Sequence, residues 1–247
     1  MKPNRIIFKD GTMKEYFCPN NINKKDVQYI DGMDSLLECI SIEKFVKLAI
    51  ESSYFFSPSI VRERQEVMID LLKKKESLPA RNTARKKETA SNVFRSENDG
   101  FICKIHHDAF GNEVVIKLIN QYTGYTIART NSIFRNYVIS HIWGEAKDPR
   151  YFTSFWNLVL IPAWANHLMD KKDVPRGSVA SILHNTIKKI CFQVYHVNEL
   201  DWNEMGGAVL PQDATSDVIT DSYIINFLEK KADNQIVGNR TQKDVLI

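Results

Sequence analysis

The sequence predicts an α+β fold, with a ββα element of two strands and a helix embedded in a mixed helix and strand body. Three observations predict it. Apolar residues recur at helical spacing over 41–75, short apolar runs bounded by turn residues follow over 101–161, and helical spacing returns after 178. With 247 residues, 43% of them hydrophobic, the chain is long enough to bury a core, and 11% aromatics argue against disorder. No apolar run approaches the roughly 18–20 residues that span a bilayer, so no membrane partner is expected. The N-terminal stretch through Phe17 lacks the apolar segment of a secretory signal, so a cytoplasmic, prokaryotic location is expected. Cys18, Cys39, Cys103 and Cys191 form no CxxC pair and suit a reducing compartment.

The elements follow in order. Turn signals at Asp10-Gly11 and Pro19-Asn20-Asn21 bound short runs such as Ile6-Ile7-Phe8, which read as a strand or hairpin. Ser41 is placed to cap a helix over 41–56 with Ile42, Phe45, Val46, Ala49 and Ile50 on one face, and Pro58-Ser59 breaks it. A second helix over 60–75 is expected to bury Val61, Val67, Met68, Leu71 and Leu72. Residues 1–77 thus form a mainly helical N-terminal region. Residues 78–98 are polar and basic and read as a linker or loop. Strands are expected over 101–105, 114–119 and 125–128, separated by Gly111-Asn112 and Thr123-Gly124. Two further runs, 137–140 and 158–161, precede a helix over 163–171, whose first position suits Pro162. A helix over 178–195 completes the region 99–200, and an acidic segment, 201–247, carries a last helix over 217–231.

The net charge of +3 is unevenly spread. Between Leu71 and Arg95 eight Lys or Arg stand against two acids, +6, which leaves −3 for the rest of the chain. Lys73, Lys74, Lys75, Arg81, Arg85, Lys86 and Lys87 are therefore candidate phosphate contacts, since each cation near a phosphate releases condensed counterions. The structural alternative is a solvated helix end, where Lys73 to Lys75 suit the negative pole of the helix dipole.

The segment 136–172, NYVISHIWGEAKDPRYFTSFWNLVLIPAWANHLMDKK, holds the pattern with chemical content. A strand-like run delivers His141, a loop with Gly144 and Asp148-Pro149 follows, and Asn157 opens the second run. Asn166 lies nine positions after Asn157, on the expected helix. This order and spacing resemble the ββα-metal finger of the HNH endonucleases in its H-N-N variant, over 37 of the 247 residues. Two departures stand out. Pro162 and Ala165 occupy positions where many members carry zinc-binding cysteines, so no structural zinc is expected. Ser140 precedes the His where many members have an acid.

The resemblance implies a metal-dependent endonuclease. His141 would activate water, Asn157 would fix the loop, and Asn166 would hold Mg2+ or Mn2+. An imidazole pKa near 6.5 suits a base at neutral pH, and a hard cation suits the leaving oxygen. Ser140, Glu145, Asp148, His167 and Asp170 are candidate metal or supporting groups. One helical step turns a side chain by about 100°, so Asn166 and His167 cannot both face one site. Arg135, Lys147, Arg150 and Lys171 are candidate phosphate contacts near the finger. Double-stranded DNA is the expected partner. A homodimer is expected as well, because one finger cuts one strand and a palindromic site favours two-fold symmetry. This points towards a type II restriction-like enzyme. A nonspecific DNA or RNA nuclease and a catalytically inactive nucleic-acid-binding module are the alternatives.

Overall fold

The structure, a computed structural model, describes residues 4–11, 13–16, 27–29, 33–81, 91–108, 111–127, 132–169, 177–206, 211–215 and 219–231. It is mixed, with helices and small sheets in the α+β manner predicted. The chain divides into two compact units, Met1–Leu48 and Ala49–Ile247. In the first, β1 (Asn4–Phe8) pairs antiparallel with both β2 (Met13–Tyr16) and β3 (Val27–Tyr29), in the order β2-β1-β3. The expected hairpin is there: Asn4 pairs with Tyr16 and Ile7 with Met13. The N-terminal region therefore starts as a sheet before the short helix α1 (Asp34–Leu37) and α2 (Ile42–Glu51).

Helix α2 ends five residues before the expected position. The Ser53 hydroxyl donates to the Ala49 carbonyl (2.7 Å), and Tyr54 leaves the helix to bridge Leu160. Proline then opens a helix rather than only ending one. In α3 (Pro58–Lys73) Pro58 sits in the first turn, and the Ser57 side chain accepts the Ile60 N–H at 3.3 Å. Its buried stripe is Ile60, Val61, Arg64, Gln65, Met68 and Ile69, which leaves Val67, an expected core residue, exposed. Leu71 and Leu72 are half-buried.

The segment expected to be a linker carries a strand at each end. β4 (Leu78–Arg81) runs parallel to β6 (Ile102–Asp108), and β5 (Val93–Arg95) runs antiparallel to it, giving the order β4-β6-β5. Residues 82–90 lie outside the described residues. The strand expected over 114–119 is instead helix α4 (Glu113–Thr123). Its buried Val115, Ile119 and Tyr122 recur at i, i+4 and i+7, a helical stripe that β-branched residues disguised. Gly124 ends it in the left-handed conformation, φ +74. Residues 125–127, expected as a strand, have no regular structure.

The expected pair of strands is present. β7 (Tyr137–His141) pairs antiparallel with β8 (Leu158–Pro162) from Tyr137↔Pro162 to His141↔Leu158. Between them lie the one-turn helix α5 (Pro149–Phe152) and a 3-10 turn, Phe155–Asn157. Helix α6 (Ala163–Met169) follows directly, because Pro162 ends the strand rather than opening the helix. All five residues of β8 are buried, which fits its unbroken apolar run. Helix α7 (Val179–Tyr195) packs against α6 and α3, with Leu183, Ile187, Ile190 and Cys191 inside. Around them Phe56 stacks on Phe155 (4.7 Å between ring centres), while Tyr122 meets Phe155 edge-on. The Tyr195 hydroxyl donates to the Phe56 carbonyl (3.0 Å). Helix α8 (Asp221–Lys231) is the last described element. No helix among the described residues is long and apolar enough to cross a membrane.

Candidate functional site

The site forms where the loop 142–157 leaves β7 and returns to β8. Gly144 (φ +71) and Glu145 (φ +40) take successive left-handed conformations, so the chain turns sharply after His141. For Glu145 that is an unfavourable backbone region, held by the Asp148 N–H donating to the Glu145 carbonyl (2.9 Å). Asp148 caps α5 by accepting the Arg150 N–H at 2.9 Å.

Asn157 is fully buried and binds both ends of this loop. Its Oδ1 accepts the Trp143 N–H (2.8 Å), and its Nδ2 donates to the carbonyls of Tyr151 (3.1 Å) and Gly144 (3.4 Å). Its own carbonyl accepts the Ile142 N–H at 2.8 Å. One acceptor and two donors on a short stem are what this position uses, and an Asp would supply no donor. These contacts tie Asn157 to the backbone at Trp143, Gly144 and Tyr151.

His141 is half-buried at the end of β7, its ring parallel to Phe152 with centres 5.7 Å apart. Nε2 lies 3.0 Å from the Phe152 carbonyl oxygen. A carbonyl only accepts, so Nε2 carries the proton and the lone pair of the neutral ring falls on Nδ1. The loop that Asn157 fixes therefore sets the tautomer of His141.

Two arginines, Arg64, which the sequence did not single out, and Arg150, which it assigned to DNA, hold the same loop or its rim. Arg64, buried on α3, donates to the Thr153 carbonyl (3.3 Å) and to Thr153 Oγ1 (2.7 Å). Its place between Val61 and Met68 on the apolar stripe of α3 was the available signal. Arg150, expected to reach DNA phosphate from the surface, is instead 2% exposed. Its Nε and Nη2 take both oxygens of Asp148 (2.6–3.1 Å), and Nη1 reaches Asp99 at 2.7 Å. The guanidinium lies 4.2 Å over the Phe101 ring. Burial alone lowers the pKa of Arg150, but the two carboxylates outweigh it and hold the group fully charged. Burial likewise raises the Asp99 carboxyl, yet hydrogen bonds from Arg150, Ser96 and the Phe101 N–H bring it below the ordinary carboxylate value.

The other expected site residues separate clearly. Asn166 is half-buried on α6, which packs against β7, while His167 is turned to solvent one helical step away. His167 is thus no partner of Asn166 in one site. Ser140 is 2% exposed and, as the strand neighbour of His141, projects from the opposite face of β7. It cannot stand in for an acid beside His141. Asp148 is committed to Arg150, which removes it as a ready metal ligand. Glu145 is exposed and, with Trp143, Asp99, Asp148 and Lys188, lines a cleft of about 530 Å³ beside the loop. Burial lowers the pKa of Lys188 there and raises that of Tyr151. Asp170 and Lys171 lie outside the described residues, as do Arg85, Lys86 and Lys87.

Of the remaining cations, Lys73 pairs with Glu204 (3.0 Å) and Lys74 with Asp70 (2.7 Å), both at the solvent-exposed surface. Lys75, Arg81, Arg135 and Lys147 are exposed. Among the described residues no group of three or more His, Cys, Asp or Glu could hold a metal ion. Of the expected metal-site residues in this segment, His141 is half-buried and the amide oxygen of Asn166 is closed off from solvent. An amide oxygen is a hard, neutral ligand that suits Mg2+ or Mn2+ carrying water and phosphate.

An α+β body bearing a β-ribbon, a buttressed loop and a helix is thus the class of protein these elements define. The chain belongs to the family described as "Uncharacterised protein PM1201", whose family model matches residues 56–246. It is 29% identical over 124 residues to "Uncharacterized protein PM1201" of Pasteurella multocida (strain Pm70). That match covers 50% of this chain and 55% of the relative, about half the length of each. No solved structure matches the chain significantly.

Proposed function

We propose that this protein is a metal-dependent DNA endonuclease of the HNH type, sequence-specific in the manner of a type II restriction enzyme and active as a homodimer. The observation that carries the reading is the chain of contacts Asn157–loop–Phe152 carbonyl–His141, which orients an imidazole with its proton on Nε2. In that tautomer Nδ1 of His141 takes a proton from water as the water oxygen attacks phosphorus. The bond from phosphorus to the 3′-oxygen breaks with its electron pair on that oxygen, which takes a proton from solvent water, leaving a 5′-phosphate and a 3′-hydroxyl. A divalent ion would supply charge neutralisation at the leaving oxygen, and Asn166 would be its protein ligand.

A second reading, a nucleic-acid-binding module without activity, is favoured by one observation. Ser140 faces into the protein where many finger proteins carry an acid beside the His. Incubation of the purified chain with long DNA and Mg2+ or Mn2+, beside an EDTA control, separates the readings. The proposal expects discrete fragments that EDTA abolishes. A smear would mean a nonspecific nuclease, and salt-sensitive binding without cleavage would mean the inactive module.

A further inference from the structure

The three-stranded sheet β4-β6-β5 has two unlike faces. Strand alternation puts Phe94, Cys103 and Ile105 on the inner face, with Leu78 and Ala80, which are buried. Val93, Arg95, Ile102, Lys104 and His106 fall on the outer face, and all five are exposed. The register confirms the grouping, since Val93 pairs with Lys104 and Arg95 with Ile102. Pro79, paired with His106, and Asp108 also fall on this side but are buried, so at the β4 end only Arg81, level with Asp108, reaches solvent.

Exposed cations without an acid occur elsewhere too, at Lys75, Arg135 and Lys147, but on this face three gather with no exposed acid among them. Lys47, Lys74 and Lys117 each hold an acid one helical turn away, and Lys73 and Lys189 hold acids from other elements. Among the described residues, Arg81, Arg95 and Lys104 pair with no carboxylate. The acid on the face, Asp108, is 2% exposed and occupied by the Val114 N–H at 2.8 Å. Exposed apolar groups stand among the cations: Val93 at 40% and Ile102 at 54%. An ordinary solvated face would mix signs instead.

We propose that this outer sheet face is a docking surface for the sugar-phosphate backbone of double-stranded DNA; the choice of DNA rests on the endonuclease reading above. The charges are complementary to a polyanion, and their spacing suits one. Arg95 and Lys104 are diagonal neighbours, roughly 7–8 Å apart. Arg81 lies about 13 Å further along β6, comparable with the roughly 12 Å width of a major groove. The sheet is also tied to the loop that orients His141, because Asp99, in the turn between β5 and β6, receives Arg150. A duplex held on this face is therefore held at a fixed distance from the finger.

The test is fluorescence anisotropy of the full chain with a labelled duplex in EDTA, titrated between about 50 and 200 mM salt. The triple variant Arg81→Gln, Arg95→Gln, Lys104→Gln should bind at least tenfold more weakly. Its plot of log affinity against log salt should flatten by about 2.7, or 0.9 for each lost phosphate contact. A charge-matched control, Lys44→Gln, Lys47→Gln, Lys117→Gln, should keep the wild-type slope, and thermal melting should show both variants folded. If the two variants behave alike, the sheet is not the docking surface. Preference of the wild type for single-stranded RNA over the duplex would overturn DNA as its occupant. Absence of cleavage together with the predicted slope change would remove the nuclease reading and leave the docking surface standing.

Discussion

Asn157 joins the two halves of the account at the scale of single residues, because the same side chain supports the fold and sets the His141 tautomer. Asn157→Ala strands the Trp143 N–H and two carbonyls in a buried loop, and should cost about 3 kcal/mol in urea unfolding. Arg150 is the residue whose role the sequence concealed. A lone Arg after Asp-Pro in a polar loop reads as a surface group, and its partner Asp99 is 51 positions away. Arg150→Met leaves two acids without their cation and should destabilise the fold by about 3 kcal/mol at neutral pH. The folded state holds the Asp99 carboxyl below its ordinary value. That contribution is full above the unfolded carboxylate pKa of about 3.9 and disappears as pH falls through the lower folded value. The stability gap between wild type and Arg150→Met should therefore narrow below about pH 4, and a gap that widens in acid would contradict the assignment. The pattern that proposes His141, Asn157 and Asn166 is a spacing within the chain alone, whereas the partners of Arg150 are a property of the fold.

At the scale of elements, segments whose apolar pattern fits one template were legible, and those that fit two templates or offer too few positions were not. β7, β8, α6 and α7 follow the predicted pattern closely, since each carries an apolar run or stripe that admits one reading. Helix α4 does not: Val114, Val115, Ile116, Leu118 and Ile119 satisfy strand and helix templates alike over six residues, and burial of Val115, Ile119 and Tyr122 decides for the helix. β4 and β5 were missed for the opposite reason, because Leu78 to Arg81 and Val93 to Arg95 have too few apolar positions to register alternation. Pro58, expected to break the first helix, instead lies in the first turn of α3, because α2 has already ended at Glu51. The Ser57 cap gives that start a measurable weight. Ser57→Ala should lower stability by about 1 kcal/mol, and Ser57→Asp should restore it.

For the whole molecule, the ribbon β7-β8, helix α6 and the buttressed loop all lie within the unit Ala49–Ile247, as does the sheet with its cationic outer face. The finger pattern covers a small part of that unit, and the rest was not legible because it depends on contacts between distant segments. Arg64 with Thr153, Tyr195 with Phe56 and Arg150 with Asp99 each link residues more than 50 positions apart. The central claim is that His141 is the base of a metal-dependent DNA cleavage. The most direct measurement is the single-turnover cleavage rate of His141→Ala beside wild type, on DNA that the wild type cuts, with Mn2+ present and both proteins shown to be folded. The account predicts a loss of about 10²–10⁴-fold, the usual contribution of a positioned general base. A rate within about threefold of wild type would contradict it.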